Sequence, residues 1–203
     1  AASDVYKRQM LFGFGLKDSI SAIVPLQYEQ IQLYDGDVIL KEDVTEEERI
    51  EVQKELDTDK KVSMTAENFL KNIEISSGES SQEVYLDVPK NVEAFKKFVV
   101  IRDRKTKEIY SLDDKGAILT EKAAKLLGVS VGDKLTINTD DGEKTVLISA
   151  ICENYMGHYL YMTSEVYEKT FGEAPAYNSI YYRTQDRTTA VSYTHLTLPT
   201  IRL

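Results

Sequence analysis

The sequence predicts an α+β domain, and three observations support this prediction. Of the 203 residues, 42% are hydrophobic and 29% are charged, which allows a buried core and excludes wholesale disorder. Short runs rich in Ile, Val and Tyr are separated by turn residues, a pattern typical of strands. Two helical stretches have capping signals, namely a capping box and a terminal glycine. We expect a mixed α/β subdomain and a smaller β-rich subdomain over residues 101–171.

Both ends of the chain resemble translated sequencing adapter rather than natural protein. Residues 1–9 back-translate into an adapter that ends in a transposase recognition sequence. Residues 191–203 begin with the reverse complement of the same adapter, in frame. Unrelated natural tails are not expected to encode opposite strands of one oligonucleotide. We therefore expect residues 10–190 to be a genuine fragment of a longer gene, in which His158 is the single histidine.

The first half of this segment begins with an apolar stretch and continues with predicted helices and strands. Residues 10–17 are compatible with the last turns of a membrane span and with an ordinary buried segment. Apolar residues over 18–34 recur at helical spacing, and Pro25 should kink that helix. Thr45 and Glu48 form a capping-box pattern. The further elements are a strand at 37–40, a helix over 46–56, a strand over 62–75, a loop over 76–81 and a strand over 83–88.

The second half has the clearest hairpin signal of the chain. Two runs of β-forming residues, 134–138 and 144–151, flank the turn Asp140-Asp141-Gly142. Gly128 is expected to end a helix over 120–127. The other elements are a helix around 92–95, a buried strand at 98–101, a charged turn at 102–107, a returning segment at 109–112, a strand at 159–162, a helix over 164–171 and a strand at 178–182.

Charge and composition argue against several classes of function. The formal net charge of −9 argues against nucleic-acid binding and against docking on anionic lipid, because both need a basic surface. A single cysteine excludes an internal disulfide framework and a CxxC-type zinc site. No apolar run approaches the roughly 18–20 residues of a complete membrane span.

Catalytic chemistry has few candidate residues. His158 and Cys152 lie near each other in the sequence, but a nucleophile needs both a base and an orienting group. Cys152 follows a strand-like run and is expected to be a buried structural thiol. His158 lies in a predicted loop, where a ligand or proton-transfer role stays open. The prediction is that this segment is not an enzyme and has no catalytic residues.

Metal and nucleotide sites are not predicted either. The acidic clusters Asp35-Gly36-Asp37 and Asn138–Glu143 offer oxygen ligands but lack EF-hand spacing, and turn formation explains the second cluster. Gly13-Phe14-Gly15 lacks the third glycine of a dinucleotide fingerprint, and the sequence has no GxxxxGK[ST] phosphate loop. We expect no cofactor-binding and no metal-binding residues.

Tyrosine is abundant in the last part of the genuine segment. At this density tyrosine marks either a contact surface or ordinary packing in strands and core. The sequence alone leaves both interpretations open. The residues concerned are Tyr155, Tyr159, Tyr161, Tyr167, Tyr177, Tyr181 and Tyr182.

Two stretches of the sequence resemble a known family. GFGLKDSI at 13–20, followed by Tyr34-Asp35, resembles the end of a transmembrane helix and the start of the external domain in FtsX-like ABC transporter permeases. The second stretch runs from Gly116 through LGVSVGDKL at 127–135 to Ile151. It is similar to the helix, LGV-x-VGD and hairpin unit of MacB-like extracytoplasmic domains. The resemblance covers residues 10–190, and these two blocks are its specific parts.

The resemblance implies a MacB-like periplasmic core at 18–190, following the end of a truncated transmembrane helix at 10–17. It implies an extracytoplasmic domain of a permease subunit at the cell membrane, which couples ATP-driven helix movement to an external substrate or partner. The implied partners are a cytoplasmic ABC ATPase, reached through the missing membrane part, and a second permease subunit. The acidic charge suits the outer side, because cytoplasmic loops carry the Lys and Arg excess. The alternative is a secreted or surface-anchored protein-interaction domain unrelated to transport.

Overall fold

The computed structural model describes residues 23–41 and 44–185, and it confirms the α+β class. Eight strands are present: β1 (Gly36–Ile39), β2 (Val62–Ser77), β3 (Ser80–Pro89), β4 (Ala117–Thr120), β5 (Lys134–Thr139), β6 (Gly142–Cys152), β7 (Tyr159–Tyr161) and β8 (Ser179–Thr184). The helices are α1 (residues 23–30), α2 (Glu46–Thr58), α3 (Val92–Phe95), α4 (Glu121–Leu127) and α5 (Ser164–Phe171). No helix in these two ranges is long and apolar enough to cross a bilayer.

All eight strands belong to one sheet, in the order β1-β8-β2-β3-β7-β4-β6-β5. Because β5 also pairs with β2, six of these strands close on themselves. We call β2, β3, β7, β4, β6 and β5 the ring, and we call β1 and β8, which extend from β2, the flap. The pairs β3–β7 and β4–β6 are parallel, and the other pairs are antiparallel.

β2 joins the ring and the flap because it has two partners along one edge. Residues 62–68 pair with β8, and residues 74–76 pair with β5, with Ile75 opposite Ile137. The other edge of β2 pairs with β3 from Asn68 to Ser77. Between its two partners, the backbone of Leu70 is bonded by the Asn178 side chain, whose Oδ1 accepts at 2.8 Å and whose Nδ2 donates at 3.0 Å.

The first core is apolar and collects alternate residues of the ring strands on one face. Alternation places every second side chain of a strand on the same face, so strands with an apolar period of two converge there. The helices α4 and α5 add Ala123, Leu127 and Val166 to the same cluster. The strand residues are Phe69, Ile75, Val84, Leu86, Val88, Ala117, Leu119, Leu135, Ile137, Val146, Ile148 and Leu160.

The second core lies on the opposite face of β7 and β4 and contains more tyrosine. Ile118 and Tyr161 alternate with the first-core residues Leu119 and Leu160, so they face the other way. The segment that follows α3 covers this face with Phe98, Val99, Ile101 and Leu112. The flap and β2 contribute Tyr181 and Ala66. The division into two subdomains near residue 101 stays a prediction, and residues 101–171 supply β4 to β7 of the ring.

Elements with strong local signals match the predictions closely. The capping box of α2 is present, with the Glu48 N–H donating to Thr45 Oγ1 at 3.3 Å and the Thr45 N–H donating to Glu48 Oε2 at 2.8 Å. α5 has the predicted bounds, and Gly128 ends α4 at a φ of 69°. The hairpin of β5 and β6 turns at Asp140-Asp141, between the paired residues Thr139 and Gly142. In each case residues close in sequence determine the structure.

Three predictions about elements were wrong because pairing partners were not visible in the sequence. The helix predicted over 18–34 ends at residue 30 among the described residues, since Gln32 pairs with Val99 instead. The loop predicted over 76–81 is mostly strand, and its turn is Gly78-Glu79, with Gly78 at a φ of 57°. The run at 98–101 is largely buried but forms one isolated bridge, at Val99, rather than a ladder. β4 is absent from the predicted elements, because a four-residue apolar run has no clear period.

Candidate functional site

A buried glutamine attaches α1 to the ring. The Gln27 side chain is fully buried, and its Nε2 donates to Asn154 Oδ1 at 2.8 Å. Its Oε1 accepts the backbone N–H groups of Tyr155 and Met156 at 2.9 and 3.2 Å. These three bonds come from the loop between β6 and β7, and they fix both the position and the rotation of the amide. α1 is therefore held in one orientation relative to the ring.

A second contact with α1 is made about one turn after Gln27, where Gln30 bonds to Arg102, the partner of the buried carboxylate of Glu153. The Glu153 side chain has no solvent exposure and receives hydrogen bonds from Arg102 Nε at 2.6 Å and Lys107 Nζ at 2.9 Å. The Tyr155 hydroxyl donates to it at 2.5 Å. The guanidinium of Arg102 also donates to Gln30 Oε1 at 2.9 Å. We call Gln27, Gln30, Arg102, Glu153 and Asn154 the entry junction.

The electrostatics of the entry junction favour an ionised Glu153. Burial by itself raises the pKa of this carboxyl, but the hydrogen bonds from Tyr155, Lys107 and Arg102 outweigh burial and lower it. A buried ion pair is costly to assemble and costly to break, so its main effect is to specify a geometry. The junction therefore attaches α1 to the ring through a charged pair that is costly to break.

The segment between α1 and β1 is bonded to the end of β8, the last described strand. The backbone N–H of Asp35, which precedes β1, donates to the carbonyl of Tyr182 at 2.9 Å. Asp35 Oδ2 accepts the backbone N–H of Thr184 at 2.7 Å and its hydroxyl at 2.9 Å. The segment that follows α1 and the last residues of β8 are thus bonded side by side.

A second buried carboxyl lies where the flap meets the ring. Asp87 of β3 has no solvent exposure. Its Oδ1 accepts from Asn68 Nδ2 at 2.7 Å, and its Oδ2 accepts from the Tyr181 hydroxyl at 2.8 Å. Burial raises the pKa of Asp87 to about 7, against the lowering effect of these two hydrogen bonds. Asn68 Oδ1 is buried and has no hydrogen-bond partner among the described residues.

Tyrosine rings surround Asp87. Tyr34 stacks on Tyr181 with ring centroids 4.3 Å apart and planes 2° from parallel. Tyr159 stacks on Tyr161 at 5.5 Å, and its hydroxyl accepts from Gln32 Nε2 at 3.1 Å. Burial is the largest cause that raises the pKa values of all four phenols above their ordinary range. These groups are neutral at any physiological pH.

An open cleft of about 540 Å³ lies on another side, between β2, the β5–β6 turn and α5. Phe69, Tyr167 and Phe171 form part of its apolar lining, with the rings of Tyr167 and Phe171 stacked at 4.3 Å. The charged groups at its rim are of both signs: Lys71, Lys144, Glu74, Asp140, Asp141 and Glu173. This mixture of charges selects no class of ligand by itself.

The two catalytic candidates do not meet in a reactive arrangement. Cys152 is buried in the second core, and burial raises the pKa of its thiol to about 12, so it is a poor nucleophile. His158 is half-buried, and no hydrogen-bond partner of its Nδ1 is found in the described part of the chain. No hydrogen bond joins these two side chains in that part.

The acidic clusters have structural roles where they can be described. Asp35 bonds to Thr184, and Asp140 and Asp141 form the β5–β6 turn. Within residues 23–41 and 44–185, no group of three or more His, Cys, Asp or Glu side chains is arranged to hold a metal ion. Gly13-Phe14-Gly15 and the apolar stretch 10–17 lie outside the described residues.

The tyrosines pack in the interior rather than form a contact surface. Each of the seven late tyrosines is buried or half-buried. Sequence reasoning missed Asp87, Glu153 and Gln27 as site residues. One signal was available: Asp87 interrupts the apolar run of β3, and Glu153 directly follows the apolar end of β6. A charged residue in such a position is either exposed or specifically paired.

Comparisons with known proteins give structural likenesses only. No family model matches the chain, and no curated protein matches its sequence. The extracellular domain of the noncanonical ABC-type transporter YknZ from Gram-positive bacteria is similar at a TM-score of 0.47 and 12% identity, over 78% of this chain and 84% of that one. The periplasmic region of MacB from Actinobacillus actinomycetemcomitans is similar at a TM-score of 0.40 and 13% identity, over 68% of this chain and 64% of that one.

Proposed function

We propose that residues 18–190 form the extracytoplasmic domain of an ABC transporter permease subunit, which couples ATP-driven movement of membrane helices to an external substrate or partner. One observation carries the proposal: the segment after α1 and the end of β8 are hydrogen-bonded side by side through Asp35, Tyr182 and Thr184. A domain inserted between two membrane helices needs its entry and exit close together. The bonded pair supports such an insertion, because it brings the chain just after α1 beside the end of β8.

The entry junction gives the mechanical part of the proposal a physical basis. A movement of α1 reaches the ring only if α1 and the ring are joined firmly. Gln27 makes three hydrogen bonds from a fully buried position, and Gln30 is tied to the buried Arg102–Glu153 pair. Fully paired buried polar groups rigidify a contact, because each alternative geometry leaves a group unpaired. α1 and the ring therefore move as one body.

The second resembling block supports the same proposal by its place in the fold. Residues 116–151 form β4, α4, β5 and most of β6, a contiguous part of the ring. Gly116 is required there, since an added Cβ would lie 2.3 Å from the carbonyl oxygen of Leu147. The helix, LGV-x-VGD and hairpin unit is thus a structural unit of the ring and not a ligand motif.

In this proposal the domain has no catalytic role of its own. A cytoplasmic ATPase hydrolyses ATP, and the membrane part of the permease, in a dimeric assembly at the cell membrane, transmits the movement. The proposal assigns residues 10–17, which lie outside the described residues, to the end of the preceding transmembrane helix. Residues 1–9 and 191–203 are adapter-derived and have no role.

Sequencing of the source DNA across both ends of the reading frame tests the placement. We expect an upstream apolar run of about 20 residues that reaches Leu16, further spans after Ala190, and a neighbouring ATPase gene. A signal peptide followed directly by this domain, with no spans downstream, would instead identify a secreted interaction domain and overturn the proposal.

Variants of Gln27 test the coupling in the complete permease with its ATPase in proteoliposomes. A fluorophore on Thr145→Cys, an exposed position of β6, reports the distance from the domain to the lipid surface with and without ATP. Gln27→Ala should abolish the ATP-dependent change while ATP hydrolysis continues. Glu29→Ala, an exposed neighbour on α1, serves as the matched control and should preserve the change. An ATP-dependent change that persists in Gln27→Ala would contradict coupling through the entry junction.

A further inference from the structure

Asp87 is an unusual group because its carboxyl is buried between two neutral donors. Asn68 donates from β2, and Tyr181 donates from β8 of the flap, at 2.7 and 2.8 Å. In the described ranges no lysine or arginine forms an ion pair with Asp87. Glu153, the other fully buried carboxylate, is held by two cations. An ionised Asp87 therefore has little compensation for the water that it has lost.

The groups around Asp87 do not compensate its charge. Tyr34 precedes the flap, Tyr181 belongs to it, and Tyr159 and Tyr161 come from β7; burial keeps these phenols neutral. Asp37 of β1 is the charged group that acts on Asp87 from the flap, and its negative charge opposes ionisation further. Asp87 is thus the group of this cluster whose charge changes near neutral pH, with a pKa of about 7.

The carboxyl can bind a proton without losing either neighbour. With a proton on Oδ2, Asp87 donates to the Tyr181 hydroxyl oxygen, whose own hydrogen then turns away from the carboxyl, while Oδ1 continues to accept from Asn68. No buried charge remains in this state. When the proton leaves to solvent, the carboxylate keeps the same two neighbours but gains a charge that water would stabilise better.

We propose that protonation of Asp87 controls how firmly the flap is held against the ring. The Asp87–Tyr181 bond crosses between the two, and the Tyr34–Tyr181 stack continues the contact to the segment before β1. Ionisation favours an opening of the flap that admits water to Asp87. Because β8 is bonded to the segment between α1 and β1, the attachment of that segment to the ring also depends on pH, while α1 stays held by the entry junction.

Amide hydrogen exchange on the full chain at pH 6 and pH 8, corrected for intrinsic rates, tests this. A carboxyl that is neutral in the closed flap below about pH 7 and ionised in the open one makes opening about tenfold more frequent at pH 8 than at pH 6. At pH 6 we expect the amides of β1 and β8 to be less protected than those of β5 and β6. From pH 6 to pH 8 the protection of the β1 and β8 amides should then fall about tenfold. Asp87→Asn, which stays neutral, should abolish the fall.

Control variants separate Asp87 from the histidines. His158→Gln and His195→Gln should retain the tenfold fall in protection. Tyr181→Phe keeps the ring stack but removes a donor to the carboxylate, so it should raise the pKa of Asp87 by about one unit and enlarge the fall between pH 6 and pH 8 to about fiftyfold. Equal protection of flap and ring amides, a fall that persists in Asp87→Asn, or an unchanged fall in Tyr181→Phe would overturn the proposal.

Discussion

The two cores of this domain lie on opposite faces of the same strands and differ in composition. The first core is closed by six strands and two helices, and the side chains of Ile75, Leu135 and Ile148 inside it have no solvent exposure. The second core is built from tyrosines and from segments outside the ring, and buried polar groups lie among them. Asp87 bonds to its member Tyr181, and Glu153 follows its member Cys152 in the chain.

The difference in composition indicates which core contributes mainly to stability and which one can respond to pH. An apolar core gains free energy from packed area in a way that depends weakly on pH. A core with buried carboxyls gains less per residue but responds to protons and holds specific geometries. In this domain the segment between α1 and β1 and the strand β8 pack on the polar side, through Tyr34 and Tyr181.

The largest expected effect comes from a cavity in the first core. Ile148→Ala removes a fully buried side chain of β6 and should lower the free energy of unfolding by about 3–4 kcal/mol, measured by urea denaturation at pH 7. Leu147→Ala, next to it and 41% exposed, should cost less than about 1 kcal/mol. Similar losses in the two variants would mean that the ring interior is loosely packed.

A smaller loss is expected from the entry junction, with a pH dependence opposite to that of Asp87. Glu153→Gln leaves Arg102, which is 14% exposed, without its counter-charge and should cost about 2–3 kcal/mol at pH 7. Because the pKa of Glu153 is lowered on folding, its contribution is present above its unfolded pKa and is lost as the pH falls through its folded pKa. Below that range, wild type and variant should converge.

The matched control is Glu121→Gln. Glu121 pairs with Arg104 at 2.7 Å, but both side chains are more than two fifths exposed. Such a surface pair should contribute at most about 0.5 kcal/mol, and salt should remove it. If the two glutamate variants lost equal stability, burial would not be what distinguishes the junction.

The smallest effect concerns a single hydrogen bond on the second-core face of the ring. The Tyr159 N–H donates to Thr120 Oγ1 at 3.1 Å, and Thr120 is fully buried. Thr120→Val keeps the volume but leaves this N–H unpaired, which should cost about 1–2 kcal/mol in thermal or urea unfolding. Thr145→Val, on an exposed position of β6, should stay within about 0.5 kcal/mol of wild type.

Whether a sequence prediction was correct depends on how far apart in the chain the interacting residues lie. The bounds of α5, the capping box at Thr45 and the turn at Asp140-Asp141 were predictable, because they depend on residues a few positions apart. The strand β4 was not, since its partners β6 and β7 lie about 30 or more positions later in the chain. A four-residue apolar run does not indicate which strands it will pair with.

The sequence by itself determined the α+β class and most element positions. Only the tertiary structure decided that Ile75 and Ile137 meet to close the ring, and that Asp87 and Glu153 are both buried with opposite electrostatic outcomes. The physical reason is that local propensity depends on neighbours along the chain. The energy of a buried charge depends instead on which distant side chains surround it: two cations for Glu153 and four neutral phenols for Asp87.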